Sequence, residues 1–361
     1  MELFRKRIDL LREKLDELGI DSFLTIDPVN IGYICGFSGS PAVLVISKGL
    51  PSLLVPRRDE EQAGREVGGL VEVIAVEGSV LEEAYGFLKK KGVRSVGMEA
   101  DKISHSEWRK GSWRMRGIRR VICKGVVEGM RMRKSPEEID AIRGASRVSV
   151  EVFGAIPGFL SPDMSEMDLA AEIEYRMRRG YKARAAFDTI VAYGPNSAIP
   201  HAIPTDRVPG EGDSIKIDLG AKLHGYCSDM TRTIFWGRPS EEMKKVYGIV
   251  LEAQLSAIDA VRSGVKAKDV DLAARSIIER AGYGGMFVHP TGHGIGRAVH
   301  EGPSIWKKED TVLETGMVIT IEPGIYIPGL GGVRIEDTVL VRDDGAEVLT
   351  GDAGKDMLVL A

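Results

Sequence analysis

Apolar residues near the start of the chain recur at steps of three and four, at Phe4, Ile8, Leu11, Leu15 and Leu18, with charged residues between them. That period predicts an amphipathic helix lying on a surface. Short apolar runs follow at 22–26, 42–46 and 52–55 and alternate with helical patterns as far as about residue 123. This is the pattern of an α/β domain. A new helix is signalled at Ser135-Pro136-Glu137-Glu138, where Ser135 can cap, Pro136 suits the first helical position and Glu138 completes a capping box. Two domains are therefore expected, over residues 1–123 and 124–361.

The second of these contains a weak internal repeat. Ser135-Pro-Glu-Glu recurs as Ser240-Glu-Glu, and Asp168-Leu-Ala-Ala with Gly180-Tyr181 recurs as Asp271-Leu-Ala-Ala with Gly282-Tyr283. Each copy predicts two helices and then an alternating strand that ends in a carboxylate, at Asp218 in SIKID and at Glu322 in VITIE. A glycine-containing turn and a returning strand follow, carrying Asp229 and Glu336. Two such units packed about a pseudo-twofold axis form an α+β domain and bring all four acids toward one cleft.

Four carboxylates in a partly dry cleft repel one another, so cations are expected among them. The histidines point to the same place. His289, His293 and His300 fall within a single glycine-rich segment, and His201 lies further upstream. One imidazole added to four carboxylates gives a mostly oxygen-lined shell, suited to Mn²⁺ or Co²⁺, with Fe²⁺ or Zn²⁺ as further options. Two such ions roughly 3.5–4 Å apart activate water for attack on an amide. No GxSxG elbow or HExxH helix is present, so neither a serine nucleophile nor a zinc-only peptidase is indicated.

Composition narrows the field. A net charge of -4 supplies no global attraction to nucleic acid or membrane. No run of about 20 apolar residues occurs, and the first helix is too charged for a signal peptide, so a cytoplasmic location is expected. Ten Lys or Arg fall between Trp108 and Lys134, but without an aromatic stacking platform they read as a solvated basic face. Cys35, Cys123 and Cys227 are widely spaced and read as small buried residues, not as a disulfide or zinc framework.

These residues resemble the pita-bread metallopeptidases, which include prolidase, Xaa-Pro aminopeptidase and methionine aminopeptidase. The segments carrying the resemblance are FDTIVAYGPNSAIPHAIP (187–204), IDLGAKLHGYCSDMTRT (217–233), FVHPTGHGIGRAVHEGP (287–303) and MVITIEPGIYIPGLGGVRIEDTVLV (317–341). Residues 27–39, DPVNIGYICGFSG, resemble the creatinase-type amino domain of prolidases and Xaa-Pro aminopeptidases, which methionine aminopeptidases generally lack. The resemblance implies that Asp218 binds one metal, that His293 and Glu322 bind a second, and that Asp229 and Glu336 bridge the two. It further implies that Glu322 shuttles a proton and that His201 and His300 meet the substrate at the scissile bond. His289 supports them, and Arg334 either orients Glu336 or meets a substrate carboxylate. Residues 182–186, KARAA, depart from the small, glycine-containing stretch expected before Phe187, which bears on local substrate contacts only.

The activity implied is hydrolysis of the bond preceding proline in Xaa-Pro dipeptides, with the first domain closing one end of the cleft. Release of the residue before proline from longer peptides is the alternative. A non-catalytic peptide-binding module is the remote one, since all five ligand positions are filled. The expected partners are a proline-containing dipeptide or short peptide and a second copy of the chain in a homodimer.

Overall fold

The computed structural model describes residues 1–99 and 101–360. The chain divides into two compact units, Met1–Arg131 and Met132–Ala361. The break falls beyond the expected boundary after residue 123. The reason is helix Val126–Met132, which buries Val127 and Met130 in the core of the first unit.

In the first unit, helix Glu2–Glu17 buries Ile8, Leu11 and Leu15. Phe4 packs at the core's edge, whereas Leu18 lies past the last helical turn and is exposed, so it does not belong to the inward stripe. Six strands follow: β1 (Ser22–Thr25), β2 (Val43–Ile46), β3 (Ser52–Pro56), β4 (Glu72–Val76), β5 (Ser95–Glu99) and β6 (Arg119–Cys123). They form one mixed sheet in the order β4-β3-β2-β1-β5-β6. Alternate residues serve two cores. Phe23, Leu44, Ile46, Leu53 and Val55 face the first helix, while Leu24, Val43, Val45 and Leu54 face helix Val80–Lys90. Burial on both faces explains why these strands read as unbroken apolar runs.

The basic run does not form one solvated face. Lys110 and Arg114 pair with Glu82, Arg120 stacks on Trp108, and buried Arg131 donates to Asn30 Oδ1 at 2.7 Å.

The second unit opens with the expected capping box. The Glu138 amide donates to Ser135 Oγ at 3.4 Å and the Ser135 amide to Glu138 Oε2 at 3.1 Å. Helices Pro136–Ala155 and Glu166–Tyr181 lead to β7 (Arg184–Ala185), β8 (Ile190–Tyr193), β9 (Ser214–Leu219), the hairpin β10 (Ala221–Leu223) with β11 (Tyr226–Cys227), and β12 (Met230–Trp236). The second copy has helices Glu241–Ala260 and Ala267–Arg280. Its strands are β13 (Gly292–Gly294), β14 (Glu301–Ile305), β15 (Val318–Ile321), the hairpin β16 (Gly324–Ile327) with β17 (Gly331–Arg334), and β18 (Asp337–Val341). β19 (Ala346–Val348) and β20 (Val359–Leu360) close the second unit's two larger sheets, ordered β20-β12-β9-β8 and β14-β13-β15-β18-β19. Helix–helix–strand–hairpin–strand thus occurs twice, as the repeat predicts. Cys35, Cys123 and Cys227 are all buried thiols, and no helix among the described residues is long and apolar enough to cross a membrane.

One buried polar junction ties the copies together. Asp337 accepts from Arg232 Nη2, Gln254 Nε2 and Thr350 Oγ1, each at 2.8 Å, and from Lys355 Nζ at 2.7 Å. Burial would raise its pKa, but the charges of Arg232 and Lys355 outweigh that and hold it at about 2. Removing the acid strands a buried guanidinium, so Asp337→Ala should lower unfolding free energy by roughly 3–5 kcal/mol, read from a urea denaturation midpoint.

Candidate metal centre

The two strand pairs aim their acids alike. β9 runs antiparallel to β12 with Asp218 opposite Thr231, and Asp229 directly precedes β12. β15 runs antiparallel to β18 with Ile321 opposite Asp337, so Glu322 directly follows one strand and Glu336 directly precedes the other. Asp229, Glu322 and Glu336 therefore flank strand ends, and Asp218 lies one residue inside the end of β9.

His293 enters on the short strand β13. Its neighbours Gly292 and Gly294 allow this, since a Cβ at either would run into the carbonyl oxygen of Thr320 or of Gly302. The imidazole Nδ1 lies 3.0 Å from Gly294 O, which makes Nδ1 the protonated nitrogen and leaves Nε2 as a lone pair. That Nε2 lies 3.5 Å from Glu322 Oε1 and 3.6 Å from Asp229 Oδ2. Donor atoms of Asp229, His293 and Glu336 all fall within 4.8 Å of one another.

The electrostatics are those of crowded acids. Burial, then the charges of Glu336, Asp218 and Glu322, push the Asp229 carboxyl far above its ordinary range. Burial and the charges of Glu322 and Asp218 do the same to Glu336. Burial raises Glu322 to about 7 against the opposing charge of Arg334. Arg334 donates to Asp218 Oδ2 at 2.5 Å, while the buried Asp218 Oδ1 has no hydrogen-bond partner among the described residues. An orphaned carboxylate oxygen beside mutually repelling acids and one imidazole lone pair is a donor set that fits divalent cations.

The remaining histidines form two settings. The His300 ring packs on that of His293 with centroids 4.4 Å apart, and His300 itself is exposed. His201 is also exposed, and its charge acts on both Glu322 and His289. His289 lies one layer out, with Nδ1 2.7 Å from Pro290 O and Nε2 2.8 Å from the Tyr326 hydroxyl. Burial and the neighbouring Arg334 charge hold it neutral, with a pKa of about 3.

The expectation for Arg334 is that it orients Glu336 or meets a substrate carboxylate; its hydrogen-bonded acid partner is instead Asp218, and it reaches Glu336 through Thr231. It is buried, and its guanidinium donates to Asp218, to Thr231 Oγ1 at 3.0 Å, to the Tyr326 hydroxyl at 2.9 Å and to Pro200 O at 3.1 Å. Protein acceptors engage all three of its nitrogens, which leaves no fork for a substrate carboxylate.

Three residues here were not singled out from sequence. Thr231 donates to Glu336 Oε2 at 2.7 Å, and Tyr326 joins His289 to Arg334. Lys216 is fully buried, and burial together with the Arg334 charge pulls its pKa down to about 6. Thr231 and Lys216 each stand two residues from a ligand position on the same strand face, a signal available in the sequence.

Residues 140–343 match the model of metallopeptidase family M24, and residues 7–133 match that of the creatinase/prolidase N-terminal domain. The chain is 39% identical over 349 residues to a Xaa-Pro dipeptidase of Pyrococcus furiosus, covering 96% of this chain and 98% of that one. It is 35% identical over 354 residues to an uncharacterized peptidase of Bacillus subtilis, covering 98% and 100%. Among solved structures, a Xaa-Pro dipeptidase from Bacillus anthracis superposes with a TM-score of 0.94 at 37% identity, covering 99% and 100%. An X-Pro aminopeptidase from Thermotoga maritima does so with a TM-score of 0.88 at 36% identity, covering 96% and 100%. A histidine and four acids gathered by duplicated strand pairs, in a chain whose residues 7–133 match a creatinase/prolidase amino domain, thus have their explanation in descent: the chain belongs to metallopeptidase family M24.

Proposed function

We propose that this metallopeptidase cleaves the bond preceding proline, with Xaa-Pro dipeptides as its preferred substrates and two divalent cations, Mn²⁺ or Co²⁺, as its cofactors. The observation that supports this best is the grouping of Asp229, His293 and Glu336 donor atoms within 4.8 Å, with Glu322 3.5 Å from His293, in a chain whose relatives include Xaa-Pro dipeptidases. In this reading Asp218, Asp229, His293, Glu322 and Glu336 would hold the two ions. The bound pair supplies Lewis acidity toward the scissile carbonyl and lowers the pKa of the attacking water.

The protein's own groups supply the rest. Glu322, a carboxylate beside the bound ions, would accept a proton from the attacking water and return it to the departing proline nitrogen. His201 and His300, on the exposed side of the centre, donate N–H groups toward the oxygen on which charge develops. Thr231 and Arg334 keep Glu336 and Asp218 in place, and His289 with Tyr326 braces Arg334.

Incubating the protein with Ala-Pro and, separately, with Ala-Pro-Ala tests the assignment. The dipeptide should be cut faster, EDTA should stop the reaction, and Mn²⁺ or Co²⁺ should restore it. Cleavage of the tripeptide alone would make the protein an Xaa-Pro aminopeptidase, and undiminished turnover after chelation would remove the metal from the mechanism.

A further inference from the structure

Strand β9 carries a fully buried lysine in a position that the metal centre does not account for. Ile215, Ile217 and Leu219 turn into an apolar core, which leaves Ser214, Lys216 and Asp218 on the opposite face. Each of those three meets something different. Ser214 Oγ and Ser197 Oγ are 2.7 Å apart, Lys216 reaches main-chain oxygens, and Asp218 lies at the metal centre.

The lysine's partners fall within four residues of one segment. Nζ donates to Ser197 O at 3.1 Å, to Ile199 O and to Pro200 O at 3.1 Å. The segment is leaving the short 3-10 helix Gly194–Ala198, and Pro200 has no N–H of its own with which to build regular structure. Nζ also sits 5.2 Å from the centre of the Tyr326 ring, whose hydroxyl meets Arg334 and His289. Arg334 takes a second grip on Pro200 O. The residue that follows is His201.

A buried amine whose hydrogen bonds go only to carbonyls adds no ion pair and little packing, so it is an expensive way to stabilise a core. What it does achieve is to lay residues 197–200 along β9 in fixed register with Asp218. We infer that Lys216 is a positioning residue: by tethering the carbonyls of Ser197, Ile199 and Pro200 it holds the His201 imidazole in place over the metal centre. This inference rests on the proposed role of His201. It adds the element that sets that side chain's place, one that acts through the main chain and touches no reacting atom.

Lys216→Met keeps the length of the side chain and removes its donors. With Ala-Pro as substrate and the metal-loaded enzyme, kcat should fall roughly 10²-fold, the cost of an approximately 1 Å misplacement, while KM and bound metal per chain stay close to wild type. In a His201→Ala background, adding Lys216→Met should cost nothing further. Amide hydrogen exchange should speed up at residue 199, whose amide donates to Asn196 O at 3.0 Å, and remain unchanged in β12 and β18. Equal losses in both backgrounds, depleted metal, or unaltered exchange at residue 199 would each overturn the inference. Lys216→Gln repeats the cycle if the methionine variant does not fold, and failure of both to fold would assign the lysine to stability alone and overturn it as well. Should the wild type cleave no Xaa-Pro substrate, the functional assignment fails by itself, while the exchange experiment still decides whether Lys216 holds the segment.

Discussion

Replacing His293 with alanine is expected to abolish metal-dependent peptidase activity and to leave the protein short of bound metal by elemental analysis. The imidazole Nε2 is the nitrogen that faces the acids, at 3.5 Å from Glu322 and 3.6 Å from Asp229, and its tautomer is fixed from behind by Gly294 O. No carboxylate in the cluster can replace it, because each is already raised or engaged by its neighbours. The loss should exceed the roughly 10–100-fold that changes to outer-shell partners cost. His289→Ala provides that comparison within the same protein, since His289 reaches the centre only through Tyr326 and Arg334. If the two variants lost activity equally, or if His293→Ala retained full turnover and full metal, the proposed ligand set would be wrong.

Much of this arrangement is legible in the amino-acid sequence. The repeat in Ser135/Ser240, in Asp168/Asp271 and in the paired acids correctly gave two helices and a strand pair per copy, because helix caps and strand alternation are local signals. The four acids are legible from local pattern too, as carboxylates at corresponding places in the two copies, whereas His293 is set apart from the other histidines only through the family resemblance. What could not be read was which side chains meet across the chain. Arg334 and Asp218 are 116 residues apart and hydrogen-bonded, and nothing in local pattern announces that the guanidinium is fully engaged. Leu18 kept the helical period one step past the end of the helix, where periodicity has no means of marking the stop. The extension of the first unit to Arg131 likewise depends on where helix Val126–Met132 packs, a tertiary choice.

Stripping the metal should make stability fall as pH rises, the opposite of what paired carboxylates usually produce. Burial and mutual repulsion raise Asp229, Glu322 and Glu336 above their ordinary values, so the native metal-free state retains protons that the unfolded chain has already released. Their contribution is fully present below the unfolded value of 4.5 for Glu322 and is lost as pH climbs through the folded value of about 7. For Glu322 alone the shift corresponds to roughly 3 kcal/mol, or about 6–12 °C in Tm for a unit of this size. A bound cation prefers the ionised acids and reverses the trend, adding about 2.7 kcal/mol when its free concentration is a hundred times its Kd. Thermal unfolding of the EDTA-treated protein between pH 5 and 8, with and without Mn²⁺, separates the two curves. They should lie close together at pH 5 and spread apart by pH 8. A metal-free protein that grew more stable across that interval would show that these acids do not share one dry, cation-requiring centre.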